Sequence, residues 1–198
     1  MTRILLVRHG QSEWNADGRW QGQADPALTE QGIRQADAAA ASLGSVDAIV
    51  ASTLERAHHT AQVIANRLGI EPVITMAELM ERHAGEWQGL TRVEIEERYP
   101  GFLDVGKRPP GWESDVVLVT RVLVSLDAIA AVVGPDADVV AITHGGVIMA
   151  LSEHLGGSRE RIANLGARWV ERQPDGSWLL GDDLDLLHGV DVTVPDQI

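Results

Sequence analysis

The sequence has no cysteine and comparatively few positively charged residues. Without thiols the chain can form neither a disulfide framework nor a thiolate metal site, and its redox compartment stays undetermined. Lys and Arg number 16 against 29 Asp and Glu, which gives a formal net charge of -13. Nucleic acids and anionic membranes both need a basic partner surface, so we expect neither of them as a partner.

Long uninterrupted hydrophobic runs are also missing. The first apolar run, residues 4–7, is too short for the core of a signal peptide. The longest, residues 116–133, contains Arg121 and Asp127 and therefore predicts a buried helix rather than a membrane span. We expect a soluble, cytoplasmic protein whose oligomeric state is open, with a homodimer as one option.

Short apolar runs alternate with segments of helical periodicity, which is typical of an α/β fold. The strand candidates are residues 4–7, 47–51, 72–76 and 138–143, and the helix candidates are residues 29–43, 53–68, 113–133 and 147–155. Residues 169–180 predict a hairpin at one sheet edge. We expect a single domain over residues 1–198, built as a three-layer α/β/α sandwich with a mostly parallel central sheet. Residues 77–114 predict a small loop and helix cap over the C-terminal strand ends.

Histidine and arginine residues follow the predicted strands where each strand ends. Arg8 and His9 come directly after the first apolar run, and His144 follows a later one. Arg56 lies in the first turn of a predicted helix, where the helix N-terminus also favours anions. Ligands of open α/β sheets bind outside the carboxyl ends of the strands, so we expect these side chains to converge. The sequence thus predicts an electropositive pocket for a small phosphorylated metabolite.

A histidine in such a pocket can react as well as bind. A neutral imidazole is a competent nucleophile toward phosphorus when fixed cations stabilise the developing charge. The leaving oxygen also needs a proton, and Glu78, Glu81 and Glu86 are candidates to supply it. The residues alone leave open which ring nitrogen of His9 would attack.

Four motifs stand in order along residues 3–150. They are Arg8-His9-Gly10 with Ser12, Trp14 and Asn15; Ser52-Thr53-Leu54-Glu55-Arg56-Ala57 with Thr60-Ala61; Glu81 before Gly85; and His144-Gly145-Gly146. Together they resemble the histidine phosphatase superfamily, also called the phosphoglycerate mutase-like family. Each motif alone is modest, but four in register are highly specific.

The resemblance implies a role for each matching residue. His9 matches the nucleophile that becomes phosphohistidine, and Glu81 matches the general acid that later serves as the base for water. Arg8, Arg56 and His144 match the phosphate pocket, and the resemblance implies no metal and no other cofactor. Further phosphate or substrate contacts are expected from Asn15, Gln21, Gly22, Arg82, Arg92 and Gly145.

The same comparison separates phosphatases from mutases. Ala84 and Gly146 stand where the cofactor-dependent mutases have tyrosine and asparagine, and residues 99–112 are too few to hold their substrate-gripping insertion. Residues 109–114 instead resemble a Pro-rich run of the smaller phosphatases. We therefore expect a metal-independent phosphatase that hydrolyses small phosphomonoesters. The alternatives are a phosphoglycerate mutase and a non-catalytic phosphate-binding module.

For several other residues the sequence indicates a role less definitely. Four tryptophans fall in loops at the predicted pocket mouth and could line an apolar wall: Trp14, Trp20, Trp87 and Trp112. His58 and His59 are expected to pack against or support the site from behind, and His154 and His188 are expected to be structural. The sequence leaves the role of His83 open. The acidic residues 182–185 are more typical of a solvated end than of a metal site.

Overall fold

The computed structural model describes residues 1–187, and a six-stranded sheet forms its centre. The strands are β1 (Arg3–Arg8), β2 (Ala48–Ser52), β3 (Ile74–Met76), β4 (Asp138–Thr143), β5 (Gly166–Arg172) and β6 (Trp178–Asp185). Their order is β3-β2-β4-β1-β5-β6. The neighbours from β3 to β1 are parallel, whereas β1/β5 and β5/β6 are antiparallel. The expected α/β fold is confirmed, and the predicted hairpin is present as β5 and β6.

Six helices lie among the described residues, and several begin directly after a side chain that caps them. They are α1 (Glu13–Ala16), α2 (Glu30–Ser42), α3 (Glu55–Leu68), α4 (Arg92–Arg98), α5 (Asp115–Val133) and α6 (Gly145–His154). The side chains of Thr29, Thr91 and Ser114 each accept a backbone hydrogen bond in the first turn of α2, α4 and α5. Within residues 77–114, the segment predicted as a loop and helix cap, short 3-10 turns lie at Ala77–Leu79 and Gly85–Trp87.

Helices cover both faces of the sheet because the strand side chains alternate in direction. In β1, Ile4 and Leu6 pack with α5 and α6, while Leu5 and Val7 pack with α2 and α3. All four side chains are buried. The carboxyl ends of β1, β2 and β4 therefore open at a common edge between the two helical layers.

The long apolar helix α5 is buried on one face only. Leu118, Val122 and Leu126 belong to the core between α5 and the sheet, whereas Val116 and Val124 are exposed. Among residues 1–187, α5 is the one helix whose length and composition would allow it to cross a membrane. Core helices of soluble proteins meet the same criterion, and a third of its apolar window is buried inside this fold.

A separate small core lies beside the carboxyl ends of the strands. Trp20, Trp87 and Ile95 are buried in it, with Tyr99 and Trp112 packed against them. Trp87 is fully buried there, so the expectation that it lines the pocket mouth is wrong. Its ring lies 5.6 Å from that of Trp112 and 5.9 Å from that of Trp20. This aromatic cluster fixes the segment that faces the strand ends.

Candidate active site

The two histidines that follow β1 and β4 lie side by side. The strands are parallel neighbours, and the His9 N–H donates to the Thr143 carbonyl at 3.0 Å. The ring centroids of His9 and His144 are 5.1 Å apart. Arg56, from the first turn of α3, places its Nε 3.3 Å from Nε2 of His9. The structure thus brings together residues from three strand ends, at the rim of a cavity of about 90 Å³.

The backbone fixes the tautomer of His9. Its Nδ1 lies 2.7 Å from the Gly10 carbonyl oxygen, which can only accept, so Nδ1 carries the proton. The lone pair of the neutral ring is therefore on Nε2, the nitrogen that faces Arg56. Asn164 donates to the His9 carbonyl at 2.9 Å, and Thr60 accepts from the Gly10 N–H at 3.1 Å. These bonds hold the ring with Nε2 toward the cavity.

Two buried donors in this cluster have no partner within the described protein. They are Nε of Arg8 and Nδ1 of His144; elsewhere in residues 1–187 the same holds only for Nε1 of Trp87. Nε2 of His144 lies 2.9 Å from the Ser52 hydroxyl, which can donate to it and leave the proton on Nδ1. A buried donor without an acceptor costs about 1–3 kcal/mol. Both unpaired groups belong to the cluster predicted to hold an anion.

Burial and positive charge keep both imidazoles neutral. Desolvation lowers the pKa of His9 well below its ordinary value, and the charges of Arg56 and Arg8 lower it further. The pKa of His144 is lowered in the same way. Desolvation also brings the pKa values of Arg8 and Arg56 down to about 10, and the Glu81 carboxylate opposes this shift. At neutral pH the cluster contains two cations and two uncharged rings.

Glu81 is the carboxylate that reaches the cavity. Its side chain accepts from the Arg82 N–H at 2.6 Å and from the Gly146 N–H at 3.0 Å. A Cβ atom at Gly146 would lie 2.4 Å from the Glu81 carboxylate, so a side chain at this position would displace that carboxylate. Glu78 and Glu86 do not line the cavity, and Glu86 instead accepts from the Tyr99 hydroxyl. Of the three candidate proton donors, Glu81 is therefore the one that the structure places at the cavity.

Three of the expected substrate contacts line the cavity, namely Gln21, Gly22 and Arg82. The Gly22 carbonyl accepts from Arg56 at 2.9 Å and helps to orient that guanidinium. Gly22 has φ +53°, and a Cβ atom there would lie 2.8 Å from Ala84, so the position favours glycine on both counts.

The other expected contacts lie outside the cavity lining. Asn15 is buried behind it and forms a capping box with Ser12 at the start of α1. Gly145 is buried at the start of α6, and the neighbouring Gly146 provides the cavity wall. Arg92 is exposed at the first position of α4 and does not reach the cavity. Thus the structure does not bring Arg92 to the pocket.

The remaining histidines also lie away from the cavity. His58 and His59 border a separate shallow surface depression, and His83 contacts the Gly111 carbonyl at 3.0 Å. Asp183 pairs with the buried Arg168, so the acidic stretch on β6 is not simply a solvated end. His188 lies outside the described residues.

Sequence reasoning missed several residues of the site. Arg108, Met149 and Arg159 line the cavity, and Asn164 supports His9 from behind. The predicted Trp20 and Trp112 do form part of the wall. Arg108 lies next to the Pro-rich run and was the easiest of the missed residues to suspect. Arg159 and Asn164 follow α6 in a segment that has no motif and no periodicity.

Comparison with known proteins supports the resemblance to the histidine phosphatase superfamily. The model of the histidine phosphatase superfamily (branch 1) matches residues 4–179. Glucosyl-3-phosphoglycerate phosphatase from Mycobacterium tuberculosis is 37% identical over an alignment of 210 residues, covering 94% of this chain and 91% of that protein. Metal-independent phosphoserine phosphatase from Arabidopsis thaliana is 35% identical over 200 residues, covering 95% and 83%.

A solved structure agrees with these sequence relatives. The structure of a mycobacterial glucosyl-3-phosphoglycerate phosphatase in complex with VO3 has a TM-score of 0.80 and 33% identity, and the match covers 90% of this chain and 96% of that one. On this evidence the chain belongs to the histidine phosphatase superfamily, branch 1.

Proposed function

We propose that this protein hydrolyses small phosphomonoesters through a phosphohistidine formed on Nε2 of His9. The observation that carries the proposal is the state of that ring: Nδ1 is protonated against the Gly10 carbonyl, and Nε2 carries the lone pair, which accepts from Nε of Arg56 at 3.3 Å. The positive charges of Arg56 and Arg8 act on the same ring. A neutral nucleophile beside two fixed cations is what attack on a phosphate dianion requires.

In the first proposed step, Nε2 of His9 forms a bond to phosphorus as the bond to the ester oxygen breaks. Arg8, Arg56 and Nδ1 of His144 stabilise the charge on the three non-bridging oxygens. Glu81 acts as the general acid and gives a proton to the departing alkoxide, so that a neutral alcohol leaves. The buried donors of Arg8 and His144 that lack a protein acceptor find one in the phosphoryl group.

In the second step, water attacks phosphorus and the bond to Nε2 breaks. Glu81, now ionised, takes the proton of that water and returns to its starting state. Inorganic phosphate leaves, and His9 is again neutral with its proton on Nδ1. No metal takes part, because the guanidinium groups supply the positive charge that the transferred group needs.

Residues 77–114 are proposed to act as the substrate cap. They contribute most of the small aromatic core beside the strand ends, and Glu81, Arg82, Arg108 and Trp112 line the cavity from this side. The relatives named above act as phosphatases, which favours hydrolysis over phosphoglycerate mutase activity. The cytoplasmic location and the homodimer remain predictions.

The test is to trap the covalent intermediate. Rapid quenching with a labelled phosphomonoester should give a phosphoenzyme that is acid-labile and base-stable, and His9→Ala should abolish it. His154→Ala is the matched control, because His154 is exposed in the last turn of α6. Unchanged turnover by His9→Ala would overturn the proposal. Conversion of 3-phosphoglycerate to 2-phosphoglycerate, with little free phosphate, would favour the mutase instead.

A further inference from the structure

The segment that leads from β3 to Glu81 is held by side chains rather than by a strand partner. Residues 78–81 lie outside the sheet, so their carbonyl groups need other hydrogen-bond donors. The Thr143 hydroxyl, at the end of β4, donates to the Leu79 carbonyl at 2.8 Å. The other three carbonyl groups of this segment accept from one side chain, that of Arg121 on α5.

Arg121 uses all of its donors in this place. Its Nη1 donates to the carbonyl groups of Glu78 at 2.5 Å and Met80 at 2.7 Å, and its Nη2 donates to that of Glu81 at 3.0 Å. Nε and Nη2 also donate to the two carboxylate oxygens of Glu113, at 2.8 and 2.9 Å. A guanidinium has five N–H donors in one plane, and five acceptors surround this one.

Glu113 lies in the Pro-rich run of residues 109–114 and fixes the chain on the other side of the carboxylate. Its side chain accepts from the His83 N–H at 3.1 Å, and its own N–H donates to the His83 carbonyl at 3.0 Å. Its carbonyl accepts from Arg82 at 2.5 Å. Desolvation opposes the ionisation of Glu113, but the hydrogen bond and charge of Arg121 leave its pKa below the ordinary value.

The ion pair of Arg121 and Glu113 lies behind the site and not in it. The two side chains are only 19% and 11% exposed, and neither is among the described residues that line the cavity. Glu81 itself is held by the N–H groups of Arg82 and Gly146. The position of its carboxylate therefore depends on the backbone that the ion pair fixes.

We propose that Arg121 and Glu113 are positioning residues, which hold Glu81 where it can transfer a proton to the leaving oxygen. This inference rests on the proposed phosphohydrolase activity and gives the Pro-rich run a role in it. A displacement of about 1 Å at a reacting group can lower a rate ~100-fold, so loss of the fixed backbone should impair proton transfer.

Attack by His9 should be affected much less, because other contacts hold the nucleophile. The Gly10 carbonyl and the Asn164 side chain fix His9, and the Ile162 carbonyl accepts from Arg8 at 2.6 Å. A substitution at Arg121 should therefore act selectively on esters whose leaving group needs a proton.

The charge of Arg121 can be separated from its geometry. Desolvation is the main reason for the low pKa of His144, and the positive charge of Arg121 adds to it. Arg121→Lys keeps that charge, but an ammonium group has three donors and cannot replace a planar group with five. The lysine variant therefore tests the hydrogen bonds to the loop.

The experiment compares an alkyl with an aryl ester in single and double variants. Arg121→Lys should lower kcat/KM for glycerol 3-phosphate about 10- to 100-fold and for p-nitrophenyl phosphate less than about threefold. Glu113→Gln should show the same selectivity. In a Glu81→Gln background, Arg121→Lys should cost less than about threefold more, because the acid that it positions is already gone.

Arg172→Lys is the matched control, because Arg172 pairs with Asp127 of α5 away from the cavity. It should leave both substrates as in the wild type. Equal losses on the two esters, or losses from Arg121→Lys and Glu81→Gln that multiply in full, would overturn the positioning role. If thermal unfolding shows that Arg121→Lys is not folded, Glu113→Gln decides by the same criteria. A wild-type protein that forms no phosphoenzyme from p-nitrophenyl phosphate would instead contradict the phosphohistidine mechanism.

Discussion

His9 owes its tautomer to the carbonyl oxygen of its neighbour Gly10, which lies 2.7 Å from Nδ1. Gly10 in turn must be glycine, because a Cβ atom there would lie 2.5 Å from the Gly32 carbonyl oxygen of α2. The strand therefore ends, turns and presents Nε2 within two residues. A side chain at position 10 would move the carbonyl that sets the tautomer of His9.

Glu81→Gln should reveal general acid catalysis through its dependence on the leaving group. Alkoxides need a proton as they leave and nitrophenolate does not, so kcat/KM should fall about 100-fold or more for an alkyl phosphate. For p-nitrophenyl phosphate the loss should be below about tenfold. The parameter kcat/KM is the one to measure, because it excludes the later hydrolysis step, in which Glu81 also acts.

Glu86→Gln is the control for that variant. Glu86 is exposed in the same segment, outside the cavity. It should leave the ratio between the two substrates as in the wild type. A ratio shifted by Glu86→Gln and not by Glu81→Gln would transfer the acid role to Glu86.

The sequence identified the residues that converge at the strand ends but not those that line the cavity from the cap side. His9, His144 and Arg56 lie at the ends or starts of regular elements, so their convergence follows from the α/β pattern. Arg92 and Arg108 both lie in irregular cap segments or next to them, and the sequence favoured Arg92. Which one faces the cavity depends on how the cap folds back, through the bridge between Ala84 and Trp112. That contact has no local signal.

At the scale of elements, the boundaries of α6 and α5 were the least predictable. Helix α6 starts at Gly145 rather than Val147, which makes His144 its N-cap residue. Helix α5 is apolar on nearly all sides, so periodicity could not show that Val116 and Val124 would be exposed. The positions of the strands, by contrast, followed directly from the short apolar runs.

The cap depends on the close approach of two loops at Gly85. A Cβ atom there would lie 2.3 Å from the Pro110 carbonyl oxygen and 2.7 Å from the Trp112 nitrogen, and φ is +57°. Gly85→Ala should therefore displace residues 110–112 and lower the free energy of unfolding, as measured in urea. It should also lower kcat/KM, because Trp112 and Arg108 would move with this loop.

The variant Gly101→Ala separates the effect of backbone strain at positive φ from the effect of the steric clash. Gly101 has φ +74°, but a Cβ atom there would meet no other atom within 4 Å. Its substitution should cost only the strain of the left-handed backbone, roughly 1–2 kcal/mol. The clash should make Gly85→Ala worse by a further ~1–3 kcal/mol. Equal losses in the free energy of unfolding for the two variants would mean that residues 110–112 can shift away from the added Cβ atom at no energetic cost.

At the scale of the whole molecule, an acidic protein concentrates its positive charge in one cavity. Five arginines line the site although the chain carries a net charge of -13. Two imidazoles must stay neutral beside these cations, and in the unfolded chain they are free to bind protons. The same arrangement that keeps the His9 and His144 rings neutral should therefore make the fold sensitive to mild acid.

The free energy of unfolding should fall between pH 6.5 and pH 5. The pKa values of His9 and His144 are well below the ordinary 6.5 in the fold, so below pH 6.5 the unfolded chain binds more protons than the native one. Stability is then fully present above pH 6.5 and is lost below it, by up to about 1.4 kcal/mol per pH unit for each ring. The paired carboxylates Glu113 and Asp115, whose pKa values are lowered, contribute to the loss only at lower pH.

Urea unfolding between pH 6.5 and pH 5, in a buffer without phosphate, measures how steeply the free energy of unfolding depends on pH. His9→Ala and His144→Ala should each remove about half of this dependence, whatever they do to stability at pH 7, because each deletes one proton-binding site of the unfolded chain. Phosphate should flatten the wild-type slope, since an anion between Arg8 and Arg56 favours the protonated rings. A slope that neither substitution changes would mean that other groups titrate, and that the two imidazoles are not held neutral by the arginines.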